Sequence, residues 1–70
     1  MTKQEAKQAL EDGFKIAHRN FFSDEFIFRN NGVLTDEGGI QLDEEDFWRY
    51  RQDPVYDNNW DIFDPSLTNF

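Results

Sequence analysis

Asp43-Glu44-Glu45-Asp46-Phe47-Trp48-Arg49-Tyr50-Arg51 gathers four acids, three aromatics and the last two bases of the chain into one short run, and its reading decides the fold. As a helix the run is self-consistent. Asp43 is the N-cap, Glu44, Glu45 and Asp46 fill the first turn where the helix dipole favours negative charge, and Arg49 and Arg51 close the end where it favours positive charge. Phe47 and Tyr50 then share a face, and Pro54 supplies the stop. As a strand, the run would send Phe47, Arg49 and Arg51 one way and Trp48 and Tyr50 the other, leaving neither side apolar. The helical reading sets a short helix among segments that are mostly strand-like.

Immediately upstream, Ile40-Gln41-Leu42 reads as a short strand fed by the turn Asp36-Glu37-Gly38-Gly39. Asn31-Gly32 is a hairpin signal, because both residues tolerate positive φ. It joins Glu25-Phe26-Ile27-Phe28-Arg29, read with Phe26 and Phe28 inward and Ile27 shared with the opposite side, to Val33-Leu34-Thr35. Phe14 to Arg19 alternates, with Phe14, Ile16 and His18 on one face, as a half-buried strand does. At the start, Thr2-Lys3-Gln4-Glu5 fits a capping box, Ala6, Ala9 and Leu10 form one apolar stripe, and Gly13 is placed to close the helix. The stripe is thin and small, which suits a helix laid close on a sheet.

Downstream, Val55 to Asn59 reads as an irregular loop and Trp60-Asp61-Ile62-Phe63 as a last strand with Trp60 and Ile62 on one face. Leu67 and Phe70 are available to dock, although the tail has no clear pattern. The expectation is one α+β domain over residues 1–70, with 1–64 as core and 65–70 as a loose tail. Its N-terminal helix packs on an antiparallel meander of three to five strands, with the second short helix before the last strand.

A chain of 70 residues has room for one small core, and its eight Phe, two Trp and two Tyr supply that core with large side chains. The absence of cysteine rules out a disulfide framework and a thiolate zinc site. No apolar run resembles a signal peptide or a membrane span, so the sequence reading is cytoplasmic. Charge divides the chain unequally. Acids and bases cancel up to residue 35, while beyond it only Arg49 and Arg51 oppose the acids, so the second half carries the entire net charge of −8. Such a field repels nucleic acid and anionic membranes and attracts basic surfaces.

No motif of catalysis accompanies this charge. His18 is the sole histidine, and Ser23 and Ser66 lie in no nucleophile elbow, so the reading is non-enzymatic. Asp57-x-Asn59-x-Asp61 opens like an EF-hand loop, yet Ile62 stands where glycine is required and Thr68 where the bidentate glutamate belongs, so no metal or cofactor is expected. Arg19, Arg29, Arg49 and Arg51 lie among aromatics, but with so many acids nearby their expected role is ion pairing.

The short helix ending Ala9-Leu10-Glu11-Asp12-Gly13, the strand Phe14 to Arg19 and the closing Asn58-Asn59-Trp60-Asp61-Ile62 together resemble the phage anti-Thoeris sponge family. That family opens with an E-A-L-x-x-L-x-x-G-K-x-V-x-R type segment and closes with an aspartate-tryptophan strand. Glu5, Ala9, Leu10, Gly13, Lys15, Ile16 and Trp60 match this outline, while His18 replaces a usual arginine and Phe47 to Arg51 is inserted. The resemblance implies a small phage or prophage accessory protein that acts by binding, and an oligomer that sequesters a nucleotide immune signal.

Two expectations of function follow. In the first, the chain is a phage-type inhibitor whose acidic surface mimics nucleic acid and docks on a basic surface of a host defence or regulatory protein. Asp43, Glu44, Glu45, Asp46 and Asp57 supply charge there, and Trp48, Tyr50 and Tyr56 supply aromatic anchors. In the second, the chain is the sponge itself, a homo-oligomer with an interface pocket lined by His18, Arg19, Trp48 and Arg49.

Overall fold

A computed structural model describes residues 1–64; the tail, with Leu67 and Phe70, lies outside the described residues. Helix α1 (Lys3–Glu11) is followed by strands β1 (Ile16–His18), β2 (Ile27–Asn30) and β3 (Val33–Asp36). Helix α2 (Glu44–Arg49), a 3₁₀ turn (Pro54–Asp57) and strand β4 (Trp60–Ile62) complete the order. The fold is α+β, a helix packed on a four-stranded antiparallel sheet with a second short helix before the last strand.

Each end of α1 is fixed locally. The Thr2 hydroxyl accepts the Glu5 N–H at 3.1 Å, and the Glu5 carboxylate accepts the Thr2 N–H at 2.8 Å, which completes the capping box. Hydrogen bonding from Thr2, its backbone N–H first and its side chain next, holds the Glu5 carboxyl below its ordinary pKa. At the other end Gly13 takes φ 92°, and the N–H groups of Gly13 and Phe14 return to the carbonyls of Leu10 and Ala9. That is a Schellman closure, which needs the left-handed residue that glycine provides.

The first three strands form a meander, but β4 does not extend it. The sheet order is β3-β2-β1-β4, so the last strand crosses back to pair antiparallel with β1, with His18 opposite Trp60. Asn31 and Gly32, at φ 52° and 82°, make the tight β2–β3 hairpin. Residues 40–42 shield the outer edge of β3 through Asp36 N–H to Ile40 O and Leu42 N–H to Leu34 O, while Gln41 forms only an isolated bridge to Thr35.

The core lies between the sheet and the two helices. Ala6, Ala9 and Leu10 of α1 meet Ile16, Ile27, Leu34 and Trp60 of the sheet, and Phe47 enters from α2. Several facing assignments differ from the sequence reading. Ile27, not Phe26 or Phe28, points into this core; the two phenylalanines occupy the other face with Phe63. The register is the reason: Ile27 pairs with the buried Ile16, so strand alternation turns Phe26 and Phe28 to the opposite face, where Phe26 and Phe63 stack at 4.5 Å. Phe14 precedes the strand and is exposed, and Ile62 is also exposed although it shares a strand face with Trp60. Tyr50 caps the end of α2 and is 75% exposed instead of sharing the buried face of Phe47. Pro54 begins the 3₁₀ turn over residues that read as an irregular loop, a position where its missing N–H costs nothing. No helix among the described residues is long and apolar enough to cross a membrane.

Candidate functional site

Helix α2 sits between two unlike depressions, and its sequence decides which residues face each. Asp43 accepts the Asp46 N–H at 3.1 Å and so starts the helix. From that start, Asp43, Asp46 and Phe47 face one side, and Glu45, Trp48 and Arg49 the other.

The first depression is an open cleft of about 750 Å³. Ile27, Leu42 and Phe47 line its apolar part. Its carboxylates come from three separate segments: Asp24 and Glu25 from the loop before β2, Asp36 at the end of β3 with Glu37 just after it, and Asp43 and Asp46 from the start of α2. Arg51 is the one basic residue in the lining. Its guanidinium lies 3.8 Å from the Phe47 ring centre and donates to the Phe47 carbonyl at 3.0 Å. Phe22 stands at the lip, 82% exposed. Some of the carboxylates serve the fold as well. Asp36 accepts the N–H groups of Gly38 and Ile40, and Glu25 accepts that of Phe22, whereas Asp24 and Glu37 remain exposed.

The second depression, a groove of about 490 Å³ between α1 and α2, is lined by Lys3, Lys7, Glu45, Trp48, Arg49 and Gln52. Lys7 lies 4.9 Å from the centre of the Trp48 ring, Lys3 donates to the Arg51 carbonyl at 2.8 Å, and Arg49 pairs with Asp46. Trp48 is half-buried, with its ring against Phe47 and Trp60 at 4.9 and 5.3 Å. Its indole N–H is buried beside the Glu44 carboxylate without a well-formed hydrogen bond.

The residues singled out from sequence therefore separate. Asp43 and Asp46 line the acidic cleft. Glu44 instead pairs with Arg29, a contact that draws its carboxyl below the ordinary range mainly by hydrogen bonding and raises the guanidinium in return. Glu45 and Trp48 belong to the groove. Tyr56 packs on His18 and Trp60 at 4.6 and 6.3 Å, Tyr50 is an exposed aromatic at the end of α2, and Asp57 is exposed in the 3₁₀ turn.

His18, Arg19, Trp48 and Arg49 line no common pocket. His18 and Arg19 border a small depression with Ala17, Asn59 and Asp61, apart from the groove that holds Trp48 and Arg49. His18 is itself a buried structural residue. Its Nδ1 accepts the Asn20 N–H at 3.0 Å, so the proton sits on Nε2, which donates between the carbonyls of Val55 and Asn58 at 2.9 Å each.

Phe22, Asp24, Glu25, Asp36 and Glu37 are cleft residues that the sequence reading did not single out for a site. The doublet Phe21-Phe22 carried the signal in part: Phe21 is half-buried against Trp60, which leaves its neighbour outside. Comparison with family models, with curated proteins and with solved structures returns no match for this chain.

Proposed function

We propose that the chain is a non-enzymatic, phage-type inhibitor that seats a basic segment of a host defence or regulatory protein in the acidic cleft. One observation carries this reading: six carboxylates from three segments surround an apolar patch of Ile27, Leu42 and Phe47. Carboxylates around an apolar centre complement a partner with lysines or arginines around an apolar anchor, and they offer such a partner negative charge of the kind that phosphates carry. Phe22 and Tyr50 are the exposed aromatics nearest in sequence to the cleft walls. Phe22 joins Tyr50 as an anchor in place of Trp48 and Tyr56, whose rings are engaged in packing.

The test is titration with a labelled amphipathic peptide carrying lysines and arginines around a leucine and phenylalanine anchor, across a salt series. Binding should weaken as salt screens the carboxylates, and Asp24→Lys/Glu37→Lys should weaken it about tenfold or more. Affinity unchanged by salt and by that double reversal would remove the basis for the cleft.

A second reading, the small-nucleotide sponge, draws on a different observation. Lys3, Lys7 and Arg49 collect around Trp48 in a chain that is otherwise strongly acidic. That groove offers cations for a phosphate and an aromatic for a base. Calorimetry with a panel of nucleotides separates the readings, since the sponge requires binding that Lys7→Glu abolishes and that the rim reversal leaves intact.

A further inference from the structure

The helices and the acidic cleft lie on one side of the sheet, and the opposite side has no layer over it among the described residues. It carries Phe26, Phe28 and Phe63, all only half-buried, with Phe26 stacked on Phe63 and 5.9 Å from Phe28. Lys15 lies over the Phe26 ring at 4.8 Å. The strand pairing puts Lys15, Ala17 and Arg19 of the β1 segment beside Phe63, Asp61 and Asn59 of the β4 segment on this face.

We propose that this face packs on the same face of a second copy of the chain. Charge favours that occupant. Lys15 and Arg19 lie beside Asp61, so the face presents both signs, as an isologous contact requires. Pairing by the sheet face also turns the acidic clefts outward and apart. Edge-to-edge pairing is less open, because residues 40–42 cover the edge of β3 and Met1 bonds to the Trp60 N–H at the edge of β4. Two face-packed sheets would bury the three phenylalanines at the usual spacing of about 10 Å. The dimer would carry two outward clefts, and a partner with two basic segments would gain by avidity. The inference does not depend on what the cleft binds.

Sedimentation velocity at chain concentrations up to about 1 mM tests it, since even a weak dimer populates in that range. The wild-type chain should pass from monomer to dimer as concentration rises. Asp61→Lys, which sets a third positive charge beside Lys15 and Arg19, should weaken dimerisation about tenfold. Lys15→Glu/Arg19→Glu, which leaves the face wholly negative, should do the same from the opposite sign. The exchange Lys15→Glu/Asp61→Lys should restore dimerisation at least in part, because it returns both signs to the face. A wild-type chain that stays monomeric gives the face to some other occupant and overturns the proposal, and so does a dimer indifferent both to Asp61→Lys and to Lys15→Glu/Arg19→Glu.

Discussion

Arg29 holds Glu44 with both arms of its guanidinium, Nη1 to Oε1 at 2.7 Å and Nη2 to Oε2 at 3.0 Å, and so ties strand β2 to the first turn of α2. The same side chain reaches Glu11 of α1 at 2.9 Å. One arginine thus joins both helices to the sheet. With the Glu44 side chain 43% exposed, the pair should contribute about 0.5–1.5 kcal/mol at neutral pH, the bidentate geometry offsetting solvent screening.

That pair predicts an acid-sensitive share of stability. Glu44 titrates below its unfolded value, so its contribution is present in full above the ordinary glutamate pKa of about 4.3 and is lost as pH falls through the lowered folded value. Glu44→Gln should therefore lower the melting temperature at pH 7, and the gap from wild type should close on acidification. Melting curves of both proteins from neutral to acid pH check this, and a gap that widens in acid would contradict it.

His18 should be needed for folding and not for chemistry. Replacing it with Phe keeps a ring against Tyr56 and Trp60 but takes the side-chain partner from the Asn20 N–H and the Asn58 carbonyl, while the Val55 carbonyl keeps the Asn59 side-chain amide at 3.2 Å. Since each such partly buried hydrogen bond contributes about 0.5–1.5 kcal/mol net, a loss of about 1–3 kcal/mol is expected. Urea denaturation measures it. A His18→Phe chain as stable as wild type would contradict a structural role for the imidazole hydrogen bonds.

The elements that sequence alone made legible are those fixed by neighbours along the chain. Thr2 with Glu5, Gly13, Asn31-Gly32 and the Asp43 cap each act within a few residues, so residue type and spacing suffice. What remained hidden depends on contacts distant in sequence. In Phe26-Ile27-Phe28 every residue is apolar, and only the pairing of Ile27 with buried Ile16 on the facing strand decides that the phenylalanines turn away from the helices. The return of β4 to β1 is likewise set by burial of Trp60 beside His18, not by any local turn. The acidity of the candidate site was visible from composition. Its shape was not, because three segments from residue 24 to residue 46 meet only after folding.

Phe47 and Trp48, adjacent on α2, should differ in degree. Phe47 is buried in the core, and truncation to Ala should cost about 3–5 kcal/mol, enough to unfold a domain of this size. Trp48 is half-buried against Phe47 and Trp60, so Trp48→Ala should also lower the melting temperature measurably while leaving a folded fraction at 25 °C. Far-ultraviolet dichroism with thermal melts compares the two. A Trp48→Ala protein that melts like wild type would return this side chain to the list of binding anchors.

The acids of the cleft divide into those that build the fold and those free to bind, and charge reversal should separate them. Asp43 caps α2 and Asp46 lies in its first turn, paired with Arg49. Asp43→Lys/Asp46→Lys removes the cap and opposes the helix dipole, so a loss of about 1–2 kcal/mol is expected with or without a partner. Asp24→Lys/Glu37→Lys changes the charge of the cleft equally at two exposed positions outside any helix or strand, and should leave stability within about 0.5 kcal/mol. Melting temperature and peptide affinity, measured on both double variants, then decide the role of the cleft. If it binds a basic segment, both variants lose affinity and only the first loses stability. If the outer pair binds as wild type does, the cleft is not the docking surface, and weaker binding in the α2 variant would report only its damaged helix.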